Sequence, residues 1–87
     1  MNIYLLTWDF PENAYYIFTE VVVAANSEFE AQNIQPYETM TWDNSKHIYN
    51  SAVDKGWPLC QKDVKVKLIG VATQDIKHGV ILKNFSH

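Results

Sequence analysis

Residues 14–25, AYYIFTEVVVAA, constrain this chain more than any other stretch. The run is long and rich in aromatic and β-branched residues, which fit a pleated, packed surface. Apart from Thr19 and Glu20 it is apolar on both alternating faces. A strand at a sheet edge with one wet face would show polar residues at every second position. The run therefore predicts a central strand, covered at least in part on both sides, and the rest of the chain must supply the neighbours and the cover.

Three further segments read as neighbours. Residues 2–8, NIYLLTW, form a first strand, and DFPEN after it is turn chemistry, with Pro11 fixing φ and Asn13 tolerating unusual backbone. DVKVKLIGVA sets Val64, Val66 and Leu68 against Lys65 and Lys67, a strand whose start has one wet face. Gly70 within it marks a bulge or a close backbone approach. GVILKNF, at 79–85, is the last strand. Val64, Val66 and Leu68, with Val80, Ile81, Leu82 and Phe85, are expected to supply much of the core. These two strands are expected to close the sheet.

The cover is expected from two short helices. In NSEFEAQNI, Ser27 and Glu30 have the spacing of a capping box, and Glu28 and Glu30 suit the positive end of the helix dipole. Ala31 and Ile34 share a face, and Pro36 stops the helix at Ile34 or Gln35. A second helix is expected over KHIYNSAVDK at 46–55, capped by Asp43, Asn44 or Ser45, with Ile48, Ala52 and Val53 as its apolar stripe and Gly56 as its stop. The predicted fold is α+β: a four-stranded, mainly antiparallel sheet with two short helices on one face, in ββααββ order. Strand order stays open, including a mixed sheet with the first strand beside the last.

With 87 residues the chain is a single domain, 1–87, that buries only roughly 60–65 % of its unfolded surface. Cys60 is the one cysteine, so no internal disulfide forms and a reducing cytoplasm fits. The start MNIYLLTWDF lacks a basic leader, and no run approaches the roughly 20 apolar residues of a membrane span. The chain reads as a soluble cytoplasmic protein with no membrane partner.

Chemistry is sparsely represented. His47, His78, His87 and Cys60 match no metal-ligand spacing, and a Cys60–His nucleophilic pair has no sequence support. Glu28 and Glu30, two apart on a helix, do not face each other as an acid–base pair would. Three unclustered glycines exclude a phosphate cradle. No cofactor, no metal and no enzymatic activity are expected.

Binding is better represented. Residues 1–45 carry seven acids and no lysine or arginine, whereas 46–87 carry seven lysines and three acids, giving −7 and +4 and a total of −3. An acidic half can dock on a basic partner, or simply neutralise the basic half when strands pair. Lys62, Lys65, Lys67, Lys77 and Lys83 could track phosphates, or protect a sheet edge. The absence of arginine disfavours bidentate phosphate or guanine recognition. The aromatic middle is the strongest sign of an interface. Candidate protein-binding residues are Glu28, Glu30, Tyr37, Glu38, Met40, Trp42, Asp43, Tyr49 and Trp57, because Tyr, Trp and Met favour interface cores. The competing expectation is that Trp42 and Trp57 cover the helix ends.

Tyr4-Leu5, VVVAANSEFEAQNIQP at 21–36, Trp57, VKLIGVA at 66–72 and GVILKNF at 79–85 together resemble a group of small uncharacterised phage and prophage proteins. The likeness covers both ends and the first helix, not 37–56, and the tail departs from the group by ending in Ser86-His87. It implies a phage or mobile-element origin. By analogy with anti-CRISPR and other anti-defence inhibitors, it implies a non-enzymatic protein that binds and inhibits a host protein, in particular a bacterial defence complex. The alternatives are a nucleic-acid-associated phage regulator using the C-terminal lysines, and a virion or assembly accessory protein.

Overall fold

A computed structural model describes residues 1–10, 16–36, 42, 56–58, 60–73 and 75–86. Its centre is a hairpin-like pair, β1 (Asn2–Thr7) and β2 (Ile17–Ala25), antiparallel with Tyr4 opposite Val23 and Leu6 opposite Val21. The helix α1 (Glu28–Asn33) follows β2. A 3-10 turn at Gln61–Asp63 leads into β3 (Lys65–Val71), and the chain returns as β4 (Gly79–Ser86). All pairings are antiparallel, and the order across the sheet is β3-β1-β2-β4.

This order places the long apolar run where its pattern predicts, in the interior of the sheet. Ile17, Phe18, Val21, Val23, Ala24 and Ala25 of β2 are all buried. The core forms on one face from Tyr4, Leu6 and Trp8 of the first strand region, Phe18, Val21 and Val23 of the second, Ala31 of α1, Trp57 and Val64. The helix covers that face through Ala31 and Ile34, the pair expected from spacing. Gln32 Nε2 donates to the Val64 carbonyl at 2.9 Å, tying the helix to the approach of β3.

The helix start follows its local code. Ser27 is the N-cap, and its Oγ accepts the Glu30 N–H at 3.2 Å. Glu30 Oε2 accepts the N–H of Asn26 at 2.8 Å, one residue earlier than a strict capping box requires. The helix ends at Asn33 with Ile34 extended, ahead of Pro36.

Three expectations need correction or delimitation. The described residues contain one α-helix and a 3-10 turn, not the two-helix ββααββ order. The second helix, placed at 46–55, lies outside the described residues. The outer strands are also not the core. Val64 is buried and Val66 and Phe85 pack against the core, but Leu68, Val80, Ile81 and Leu82 are exposed. β3 and β4 are opposite edges of the sheet, so each has a neighbouring strand on one side only.

Bulges complete the geometry. Ile3 pairs with Gly70 and Tyr4 with Leu68, which leaves Ile69 as an extra residue on β3, next to the glycine that signals it. Val22 pairs with Leu82 and Val23 with Val80, which leaves Ile81 extra on β4. These two bulges lie toward the end of the sheet where β1 begins and β2 finishes. A third, which leaves Thr19 extra on β2 between the Phe18–Phe85 and Glu20–Asn84 pairs, lies toward the other end.

Candidate binding surface

Several exposed apolar side chains lie toward the end of the sheet where β1 begins and β2 finishes. β3 finishes there with Val71 opposite Asn2, and β4 starts there with Gly79 opposite Ala24. At the end of β3 the Ala72 N–H donates to the Met1 carbonyl at 2.7 Å. α1 begins at the same end, three residues after β2 stops. Met1, Phe29, Ile69, Val71, Val80 and Ile81, all exposed, form the rim of this end, with Ile69 and Val71 on one edge of the sheet and Val80 and Ile81 on the other. Phe29 is 70 % and Val71 78 % exposed, values at which neither contributes appreciably to the core. Phe29 sits in the first turn of α1 beside exposed Glu28, so an aromatic anchor and a carboxylate are presented together.

The predicted interface residues divide three ways. Glu28 is exposed and belongs to this rim. Glu30 is committed to the N-terminus of the helix, where it accepts the Asn26 N–H. Trp42 is partly buried and packs against the core. Tyr37, Glu38, Met40, Asp43 and Tyr49 lie outside the described residues.

Trp57 is the clear correction: it is 0 % exposed and central to the core. Its position follows from Gly56. The Gly56 carbonyl accepts the Phe18 N–H at 2.8 Å, so residues 56–58 dock on the start of β2. The indole of Trp57 then meets Trp8 edge-on, with centroids 6.2 Å apart. Trp57 Nε1 is buried with no hydrogen-bond partner among the described residues. Trp8, by contrast, donates from Nε1 to the Phe18 carbonyl at 2.7 Å.

The lysines do not form one track. Lys62, Lys65 and Lys67 are exposed along the β3 side. Lys65 pairs with Asp9 at 2.9 Å, an exposed ion pair. Lys83, on the opposite edge, donates to the Pro36 carbonyl at 3.1 Å and lies over the Phe18 ring. Cys60 is a buried thiol and His78 is exposed, while His47 and His87 lie outside the described residues. Among the described residues no group of three or more His, Cys, Asp or Glu could hold a metal ion, and no helix is long and apolar enough to cross a membrane.

The signal for Phe29 was present in the sequence but masked by its setting. It follows the cap by two residues and sits between two glutamates, so helix-start chemistry accounts for the segment without it. Only the docking of α1 through Ala31 shows that Phe29 turns outward.

No protein-family model, curated protein or solved structure matches the chain.

Proposed function

We propose that this chain is a non-enzymatic binding protein of phage or prophage origin, which acts in the host cytoplasm by occupying a host protein, in particular a bacterial defence complex. The observation that carries the reading is the rim at one end of the sheet, where Phe29 and Val71 stand 70 % and 78 % exposed. Exposed apolar side chains at one end of a sheet are candidates for an interaction site. Phe29 is an exposed aromatic, a residue type enriched among those that dominate interface energy. Glu28 adds a charge suited to a basic partner. The likeness to small phage proteins supplies the biological setting.

The test is expression of the chain in a bacterium with active CRISPR immunity, scored by the plaquing of a phage that the immunity targets. Wild-type protein restores plaquing and co-elutes with the defence complex. Phe29→Ala combined with Val71→Asp abolishes both without unfolding the domain. Plaquing unchanged by the wild-type protein, with no complex co-eluting, removes the reading.

A nucleic-acid-binding reading is favoured by one observation, the exposure of Lys65 and Lys67 on the β3 edge and of Lys62 in the turn before it. Such binding would fall steeply with added salt. Absence of binding to DNA and RNA at low salt eliminates it.

A further inference from the structure

The face of the sheet opposite α1 is organised in rows. Alternation along β1 and β2 sends Tyr4, Leu6, Val21 and Val23 to the core, so Ile3, Leu5, Thr7, Glu20, Val22 and Ala24 point the other way. Ala24 is fully buried, and the open part of the face runs from Leu5 and Val22 toward Thr7 and Glu20. Register extends the rows to the edges. One row is Lys67, Leu5, Val22 and Leu82; the next is Lys65, Thr7, Glu20 and Asn84. Leu5 and Val22 are half-buried, and Leu82 is 64 % exposed. The helix, Trp42 and Trp57 all lie on the core face.

We propose that this face binds a second copy of the chain, sheet against sheet, about a two-fold axis parallel to the strands and midway between β1 and β2. The charge pattern selects both the occupant and the axis. A two-fold axis across the strands would stack β3 on its own copy and set Lys67 against Lys67. The axis along the strands sets β3 over the partner copy's β4 and β1 over its β2. Leu5 then meets Val22 of the other copy, and the Lys67 stem lies along Leu82. Lys65 comes within one strand spacing of Glu20 of the other copy, twice by symmetry. Sheets packed in this way stand about 10 Å apart, a gap that facing Lys and Glu side chains span together. Asp9, already paired with Lys65, shares that lysine with the incoming Glu20. An apolar row bordered by charges that match their own copy is self-complementary, which is what an isologous interface needs.

Sedimentation equilibrium on the purified full chain tests this without any host component, so its outcome is independent of the host-protein reading. The wild-type mass rises with concentration from 10.1 kDa to a plateau at twice that value. Glu20→Lys raises the dissociation constant at least tenfold, and Glu20→Lys with Lys65→Glu recovers most of the loss. Should the charge variants fail to fold, as read by tryptophan emission, Leu82→Ser on an already exposed side chain gives the same tenfold weakening. The proposal is overturned by a concentration-independent 10.1 kDa species, by a mass that climbs past the dimer without a plateau, or by a dimer whose constant none of these variants changes.

Discussion

Gly56 shows how much of this fold rests on one residue. Its φ is +73°, and a Cβ added there would stand 2.8 Å from the Tyr16 carbonyl oxygen and 3.3 Å from the Ile17 Cα. Both neighbours are backbone, so neither can rotate away. Gly56→Ala is expected to cost about 2–3 kcal/mol through strain in the left-handed region and displacement of the 56–58 docking. A urea melt should show a lower midpoint with an unchanged slope; an unaltered midpoint would show that 56–58 contributes nothing to stability. Trp8 is the second such position. Trp8→Phe keeps most of the ring but removes the buried bond to the Phe18 carbonyl, at an expected cost of about 1–3 kcal/mol. The emission of Trp57 remains available to follow unfolding in that variant. At Trp57 the sequence supports two expectations, an interface residue and cover for a helix end, and the structure buries the indole in the core. Tryptophan is equally at home in an interface and a core, and nothing local distinguishes them. The glycine before it decides, because it lets the chain approach β2 closely enough to insert the indole.

At the scale of elements, legibility follows the range of the interactions involved. The start of α1 was legible because its determinants lie within four residues: Ser27 caps Glu30, and Glu30 reaches back to Asn26. Ser27→Ala is expected to lower stability by about 1 kcal/mol, visible as a shift of the thermal midpoint by several degrees for a domain of this size. No shift would mean that packing of Ala31 alone holds the helix. β2 was legible because both of its alternating sets are apolar. β3 and β4 were only half legible. Their existence follows from local pattern, and Gly70 signals either a bulge or a close approach, of which the structure shows the bulge. Leu68, Val80, Ile81 and Leu82, expected in the core, are exposed. Alternation fixes which residues share a face; it says nothing about what lies above that face. Leu68 is opposite core residue Tyr4 but lies on an edge strand and is 53 % exposed, whereas Leu82 lies in the row of Leu5 and Val22, on the face opposite α1. In the candidate rim it is the ends of the two edge strands that carry exposed Val71 and Val80.

For the whole molecule, β4 offers the sharpest test. It is the last element and pairs along β2 from Ile17 to Ala24, the strand that carries most of the core. Deleting residues 79–87 would expose the backbone of β2 and uncover Phe18 beneath Phe85, whose rings lie 4.8 Å apart. The truncated chain is expected to lose its cooperative unfolding transition and its buried-tryptophan emission; a cooperative melt in the truncation would show that three strands suffice. By itself the sequence determined the identities of the four strands, the centrality of β2, the start of α1 and the division of charge between the halves. Each of these follows from propensity, periodicity or composition, which act over a few residues. Only the tertiary structure decided the order β3-β1-β2-β4, the burial of Trp57, the exposure of Phe29 and the placing of Met1, Ile69, Val71, Val80 and Ile81 toward one end. These depend on which segments meet across long stretches of chain. That choice is made by the total apolar surface removed from water and by the backbone partners each strand finds, quantities that belong to no single segment.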